Sequence, residues 1–298
     1  MLKNKPGSWF LLISALFSVL SFSSCAENIT ENVIDTDIPQ RIPYQPKYSS
    51  KALRVCADPN NLPFSNEKQE GFENKIADIL ADELKVPVEY TWWAQRRGFI
   101  RNTLRAGICD VVIGVPNSFE LALTSRPYYR STYVFVYRKD KKLVIRSFDD
   151  EILKNIRIGA HLIGDDNANS PPVHALVKRG IRENIVGYTV YGDYKEDSPP
   201  SKLIKAVSNG EIDVAIAWGP LAGYFAKKEK VPLEIIPVSP QIDLPYLPMV
   251  YEISLGVRRG EEEYLMKLEK ALDHRKDEIQ KILNEFGVPH AETQRASQ

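Results

Sequence analysis

Leu104-Arg-Ala-Gly107-Ile-Cys-Asp110-Val-Val-Ile113 is echoed roughly a hundred residues later by Val207-Ser-Asn-Gly210-Glu-Ile-Asp213-Val-Ala-Ile216. In both stretches Gly stands three residues before Asp, and Asp three before Ile. The pattern predicts a helix ended by glycine in the left-handed conformation, then a short apolar strand buried on both faces, then a turn at Val115-Pro116 or Trp218-Gly219-Pro220. One αβ unit used twice, each time within a run of βαβ elements, predicts two similar α/β domains built on parallel sheets.

The flanking sequence extends both copies. Before the first, Leu53-Arg-Val-Cys56 reads as a strand, Phe72, Ile76, Ile79, Leu80 and Leu84 recur at helical spacing until Pro87, and Val88-Glu-Tyr90 reads as a second strand. Before the second, Ile156-Arg-Ile-Gly159 reads as a strand, Pro172 to Val177 as a helix, and Pro199-Pro-Ser201 opens a helix whose inward face is Leu203, Ile204 and Val207. The chain is expected to cross between domains near Tyr133 to Tyr137 and to return near Tyr246 to Tyr251. A final helical run, Glu261 to Phe286, is closed by Gly287 and Pro289 and is expected to pack back on the first domain. These readings divide the body into a discontinuous first domain (52–137 and 246–290), a second domain (138–245) and a tail (291–298). Two crossings make a hinge, and hinge closure around a ligand is its usual use.

The start of the chain reads as an export signal, residues 1–25. Lys3 and Lys5 precede the apolar stretch Trp9 to Leu20, which is too short to span a bilayer. Phe22-Ser-Ser-Cys25 looks like a lipobox, which would leave Cys25 lipidated as the mature N-terminus; Ser24 and Ala26 equally suit a cut that releases a soluble protein. Residues 26–51, with Pro39, Pro43 and Pro46 and no sustained apolar period, read as a flexible tether. Lys+Arg and Asp+Glu both number 39, so net charge offers no case for nucleic acid, nor for a membrane partner beyond a lipid anchor. Cys56 and Cys109 remain once Cys25 is set aside. They suit either a disulfide in an oxidising compartment or two buried thiols.

The motifs resemble those of the family 3 extracellular solute-binding proteins, in that family's order: Gly71-Phe-Glu73, Gly107 to Val112, Arg126-Pro-Tyr-Tyr129, Asn209-Gly-Glu-Ile-Asp213 and Pro220 to Ala226. The resemblance covers nearly all of Leu53 to His290 and implies the type 2 periplasmic binding fold. A narrower similarity, to the branch described as quinoprotein-dehydrogenase-associated binding proteins of the MoxJ and XoxJ type, rests on Val55 to Ser65, Tyr90-Thr-Trp-Trp-Ala-Gln-Arg-Arg-Gly98, Ile163 to Asn169, Tyr191-Gly-Asp193 and Ala217-Trp-Gly-Pro220. That resemblance implies a partner role with a PQQ-dependent alcohol dehydrogenase and its cytochrome c, in maturation or activation. The amino-acid binders of the broad family clamp a carboxylate with Arg in a Thr-x-x-Arg segment and an ammonium with an acid in the second domain. Here the first segment reads Val115-Pro-Asn-Ser-Phe-Glu-Leu121, and Trp218 holds the acid's position. A zwitterion would lack both charge partners, a loss on the order of several kcal/mol, which argues against an amino-acid receptor.

Ligands of open α/β sheets gather at the carboxyl ends of strands, which directs attention to Asp58, Asn60, Asn61, Phe64, Trp92, Trp93, Gly114, Pro116 and Trp218. Arg96 and Arg97 would give the Trp pair cationic edges suited to an aromatic or anionic guest or a partner's loop, although adjacent strand residues face opposite sides, so one Trp would pack in the core and both Arg would be solvated. Tyr128 and Tyr129 lie near the crossover, where hinge packing competes with ligand contact. Asp165, Asn167 and Asn169 alternate like calcium ligands, but Ser170, Leu176 and Pro171-Pro172 fail the rest of that loop, so a polar turn is expected and no metal. His161, His174, His274 and His290 form no group, and no nucleophile, phosphate-loop or cofactor signature occurs. The reading is therefore a non-catalytic accessory protein without a cofactor. A transporter-linked receptor for a small organic solute is the alternative, and an enzymatic reading would need Glu73 or Asp58 as its acid.

Overall fold

The computed structural model describes residues 48–162, 169–189 and 194–289. The signal, Cys25 and Asp165 lie outside them. The first half of the described chain comprises β1 (Leu53–Ala57), the two-residue strands β2 (Asn60–Asn61) and β3 (Ser65–Asn66), α1 (Phe72–Leu84), β4 (Val88–Trp92), α2 (Phe99–Asn102), β5 (Val111–Pro116), β6 (Leu123–Thr124) and β7 (Tyr129–Arg138). The second comprises β8 (Ile158–Leu162), α3 (Pro171–Lys178), β9 (Ile185–Thr189), α4 (Lys202–Asn209), β10 (Val214–Trp218), α5 (Gly219–Ala226), β11 (Leu233–Pro237), β12 (Ile242–Asp243), β13 (Leu247–Pro248), β14 (Val250–Val257), α6 (Glu262–His274) and α7 (Lys276–Glu285).

The main strands run in the order β4-β1-β5-β14-β7-β10-β8-β9. β4, β1 and β5 are parallel, as are β10, β8 and β9. Between the two sets lie β14 and β7, antiparallel to each other and to their outer neighbours. β7 pairs with β14 through Tyr129 to Thr132 and with β10 through Tyr133 to Tyr137, so one strand passes from the first set to the second. The sheet is thus mixed and curled, with two parallel triplets each closed by an antiparallel crossing strand, and not the purely parallel pair the duplicated motif suggests.

The duplication extends beyond the quoted stretches. The amide of Asp110 donates to Arg54 O and that of Asp213 to Arg157 O, at 2.7 and 2.9 Å. Arg54 in turn donates to Gly107 O and Arg157 to Gly210 O. The two glycines have φ of +75° and +77°, a region where a side chain would be strained. The copies also differ. α4 runs up to Gly210, whereas α2 stops after Asn102 and turns carry the chain on to Gly107. Thr103 Oγ1 donates to Phe99 O at 2.7 Å, the local bond by which Thr competes with helix continuation.

The first set carries α1, α6 and α7 on one face, where Phe72, Leu80, Leu255, Leu268 and Leu283 are buried together. Its other face holds Phe99, Leu104, Val112 and the bonded pair Cys56–Cys109, with Cα atoms 5.4 Å apart. The final helical run is broken at Arg275, which ion-pairs with Glu83 and Glu278. Tyr48 stacks on Tyr264 at 4.3 Å and the Ser49 amide donates to Asp110, so the last residues of the expected tether are fastened to the body. Among the described residues no helix is long and apolar enough to cross a membrane.

Candidate functional site

β1 delivers Asp58 to the carboxyl edge of the first parallel set, 3% exposed. Its Oδ2 accepts from the Tyr194 hydroxyl and the Gln95 amide, both at 2.6 Å, and its Oδ1 from the Asn60 amide at 2.8 Å. Ser65 Oγ donates to Asp58 O at 2.9 Å. Asn60 Nδ2 donates to Glu196 O at 2.8 Å, and the Arg96 guanidinium lies 5.1 Å over the Tyr194 ring. Burial raises the pKa of the Tyr194 phenol, and its bond to the Asp58 carboxylate raises it further. Tyr194 and Glu196 belong to the segment between β9 and α4, so the second half of the chain is hydrogen-bonded directly to the end of β1.

Glu73 projects from the first turn of α1 toward Gly114 on β5. A Cβ at Gly114 would lie 2.2 Å from Glu73 Oε1, so glycine makes room for the acid. The residue keeps some open surface, but its carboxyl group is desolvated, and that, with the charge of Asp58, pushes its pKa up to about 8. The enclosing hydroxyls of Tyr128 and Tyr129 are also held well above their ordinary range by burial. At neutral pH Glu73 is therefore a protonated carboxyl. It can give and take hydrogen bonds without carrying charge.

Trp218, at the end of β10, lies edge-on between Tyr133 of β7 and Tyr251 of β14, with ring centroids 5.4 and 5.8 Å away. The residue in the expected acid position is thus an aromatic wedge between the two crossing strands. Trp92 stacks on Tyr90 at 4.5 Å on the α1 side of β4, while Trp93 points away and is 44% exposed. Phe64 packs on Phe72 and Tyr129 meets the same ring, so both belong to the core. The Tyr128 hydroxyl donates to Ile113 O. Asn61 reaches Gln95 at 3.3 Å. Arg96, Arg97 and Pro116 share the wall of one open cavity of about 760 Å³.

The structure therefore joins Asp58, Asn60, Asn61 and Arg96 in one polar cluster and sends Phe64, Trp92 and Tyr129 elsewhere. Sequence reading missed Tyr194 and Gln95, which complete the cluster. Tyr194 follows Tyr188 and Tyr191 at a three-residue spacing that fits neither a helix nor a strand, and only the adjacent Tyr191-Gly-Asp193 string drew attention to its segment. Among the described residues no group of three potential metal ligands occurs, and His161, at the end of β8, is kept neutral by burial, its pKa pushed down to about 4.

The model of the bacterial extracellular solute-binding proteins, family 3, matches residues 53–289. Protein MoxJ of Paracoccus denitrificans is 32% identical over 80% of this chain and 88% of its own. Protein MoxJ of Methylorubrum extorquens is 28% identical over 86% and 87%. The crystal structure of periplasmic binding protein XoxJ from Methylobacterium extorquens AM1 superposes with a TM-score of 0.66, at 38% identity over 81% of this chain and all of that one. A strand order with two antiparallel crossings, a duplicated αβ unit and a match from the first strand to the last described residue lead to one conclusion: the chain belongs to the bacterial extracellular solute-binding proteins, family 3.

Proposed function

We propose that this protein is a non-catalytic periplasmic accessory of a PQQ-dependent methanol or alcohol dehydrogenase, acting in maturation or activation of the enzyme, with the enzyme's cytochrome c as a further contact. The observation that carries the reading is the cleft's self-engagement. Asp58, the buried carboxylate at the end of β1, has its oxygens taken by Tyr194, Gln95 and Asn60. Among the described residues no charged clamp for an amino acid accompanies it, and the acid position is filled by a Trp wedged in the crossing. The frame of a solute receptor is retained while its solute chemistry is not. The similarity to MoxJ and XoxJ proteins supports the choice of partner. Export through the leader, followed by lipidation at Cys25 or release after Ala26, belongs to the same proposal, as do the two hinged domains. The Cys56–Cys109 bond suits an oxidising compartment.

Calorimetric titration of purified dehydrogenase with this protein tests the reading. Saturable binding to the enzyme in its apo or PQQ-loaded form is expected; no heat with either form contradicts it. Glu73 favours one further reading, a transporter-linked receptor, because a protonated carboxyl beside the cleft suits an uncharged organic solute. A solute bound only by the folded protein would raise its melting temperature. A metabolite panel that leaves the melting temperature unmoved removes that reading.

A further inference from the structure

The open cavity beside the cleft has a composition that neither solute binding nor packing explains. Arg96, Arg97, Arg101 and Arg105 line it, and among the described residues no acidic side chain does. Several arginines elsewhere on the body are matched to carboxylates, as in Arg126–Asp273, Arg138–Asp140, Arg179–Asp243 and Arg275–Glu278. Arg101 and Arg105 are exposed and make no ion pair or side-chain hydrogen bond to a carboxylate among the described residues.

The cavity also has an apolar base. Phe99 and Ile100 are buried with Leu104 and the Cys56–Cys109 bond, half-buried Phe119 packs against this cluster, and Leu121 remains 46% exposed at the edge. Gly98, with φ of +90°, turns the chain so that Arg96 and Arg97 precede Phe99 into the wall. The arginines thus stand on a floor tied by a covalent bond.

We propose that this groove binds an acidic segment of a partner protein, its carboxylates on Arg101 and Arg105 and an apolar side chain against Phe119 and Leu121. The charge of the wall is complementary to such a segment and to no cation or neutral peptide. A small polyanion is less well served. Sites for small ligands enclose most of the ligand's surface, whereas the described walls of this groove all come from residues 95–121 and are bordered by exposed side chains. The inference deepens the partner-protein reading by naming the surface used, and its test involves no dehydrogenase, so each fails separately.

The test is fluorescence anisotropy of a labelled short peptide whose glutamates flank a leucine, with its glutamine counterpart and benzenetricarboxylate as controls, on the purified protein. Binding of the acidic peptide is expected, weakening about tenfold or more as salt rises from low to high, because exposed charges are screened. It should fall by about tenfold or more in the Arg101→Gln, Arg105→Gln double variant, whose unchanged melting temperature would show that it folds. The single variant Arg105→Gln serves if the double variant does not fold. Equal binding of the glutamine peptide, undiminished binding by the variants, or benzenetricarboxylate binding as tightly as the peptide would each overturn the proposal, the last by making the groove a small-molecule site.

Discussion

Two buried acids behave oppositely. Asp110 is fully buried, and although burial alone would raise its pKa, Arg54, the Ser49 amide and Arg258 outweigh that and hold it below its ordinary value. Its stabilisation is present above the unfolded pKa near 3.8 and is lost as pH falls through the lower folded value. Asp110→Asn leaves Arg258, itself 6% exposed, with Glu261 as its remaining carboxylate partner and weakens the charged bonds from Arg54 and Arg258, so a loss of about 1.5–3 kcal/mol in urea unfolding is expected; a loss below about 0.5 kcal/mol would contradict it. Glu73 has the other sign. Its folded pKa of about 8 exceeds its ordinary 4.5, so the folded protein holds a proton that the unfolded chain releases. Stability from this group is complete below about pH 4.5 and declines up to about pH 8, by roughly 1.4 kcal/mol for each step of one in pH across that window. Glu73→Gln should flatten the fall in melting temperature between pH 5 and 8, whereas an unaltered slope would place the titration elsewhere. The importance of Asp110 was legible in its repeat at Asp213. The pKa of Glu73 was not, because it arises from burial against Gly114 and from the charge of Asp58, both brought beside it only by the fold.

At the scale of elements, the legible features were those with a period or a stop signal: β1, α1 from Phe72 to Leu84, α4 ending at Gly210, and the return strand β14. α2 escaped because Thr103 and the following turns interrupt a stretch that reads as helix up to Gly107. The segment carrying Tyr194 escaped because its contacts span 136 residues and leave no local mark. Tyr194→Phe removes the 2.6 Å donor to Asp58 and leaves a buried carboxylate oxygen with one donor fewer, at a cost of about 1–3 kcal/mol. Hydrogen exchange should then quicken at the amides of Asn60 and Gln95 while α4 is unaffected. Unchanged protection at both amides would show that this contact does not hold the segment.

At the scale of the molecule, the α/β class, the two parallel strand sets and a chain crossing near Tyr133 to Tyr137 followed from one duplicated unit and its flanks, whereas the antiparallel pairing of β14 and β7 that joins the sets into one mixed sheet did not. What could not be read was that the protein's own segment fills the polar end of the cleft, because side chains that meet across a fold have no shared sequence pattern. In the proposed function that engagement leaves the receptor frame to serve as a surface for a partner. The most direct measurement is the specific activity, with PQQ and metal content, of the periplasmic alcohol dehydrogenase in cells lacking this gene and in the same cells complemented with it. The account predicts enzyme protein present but activity or cofactor content depressed, and restored on complementation. Fully active, fully loaded dehydrogenase in the deletion strain would contradict it.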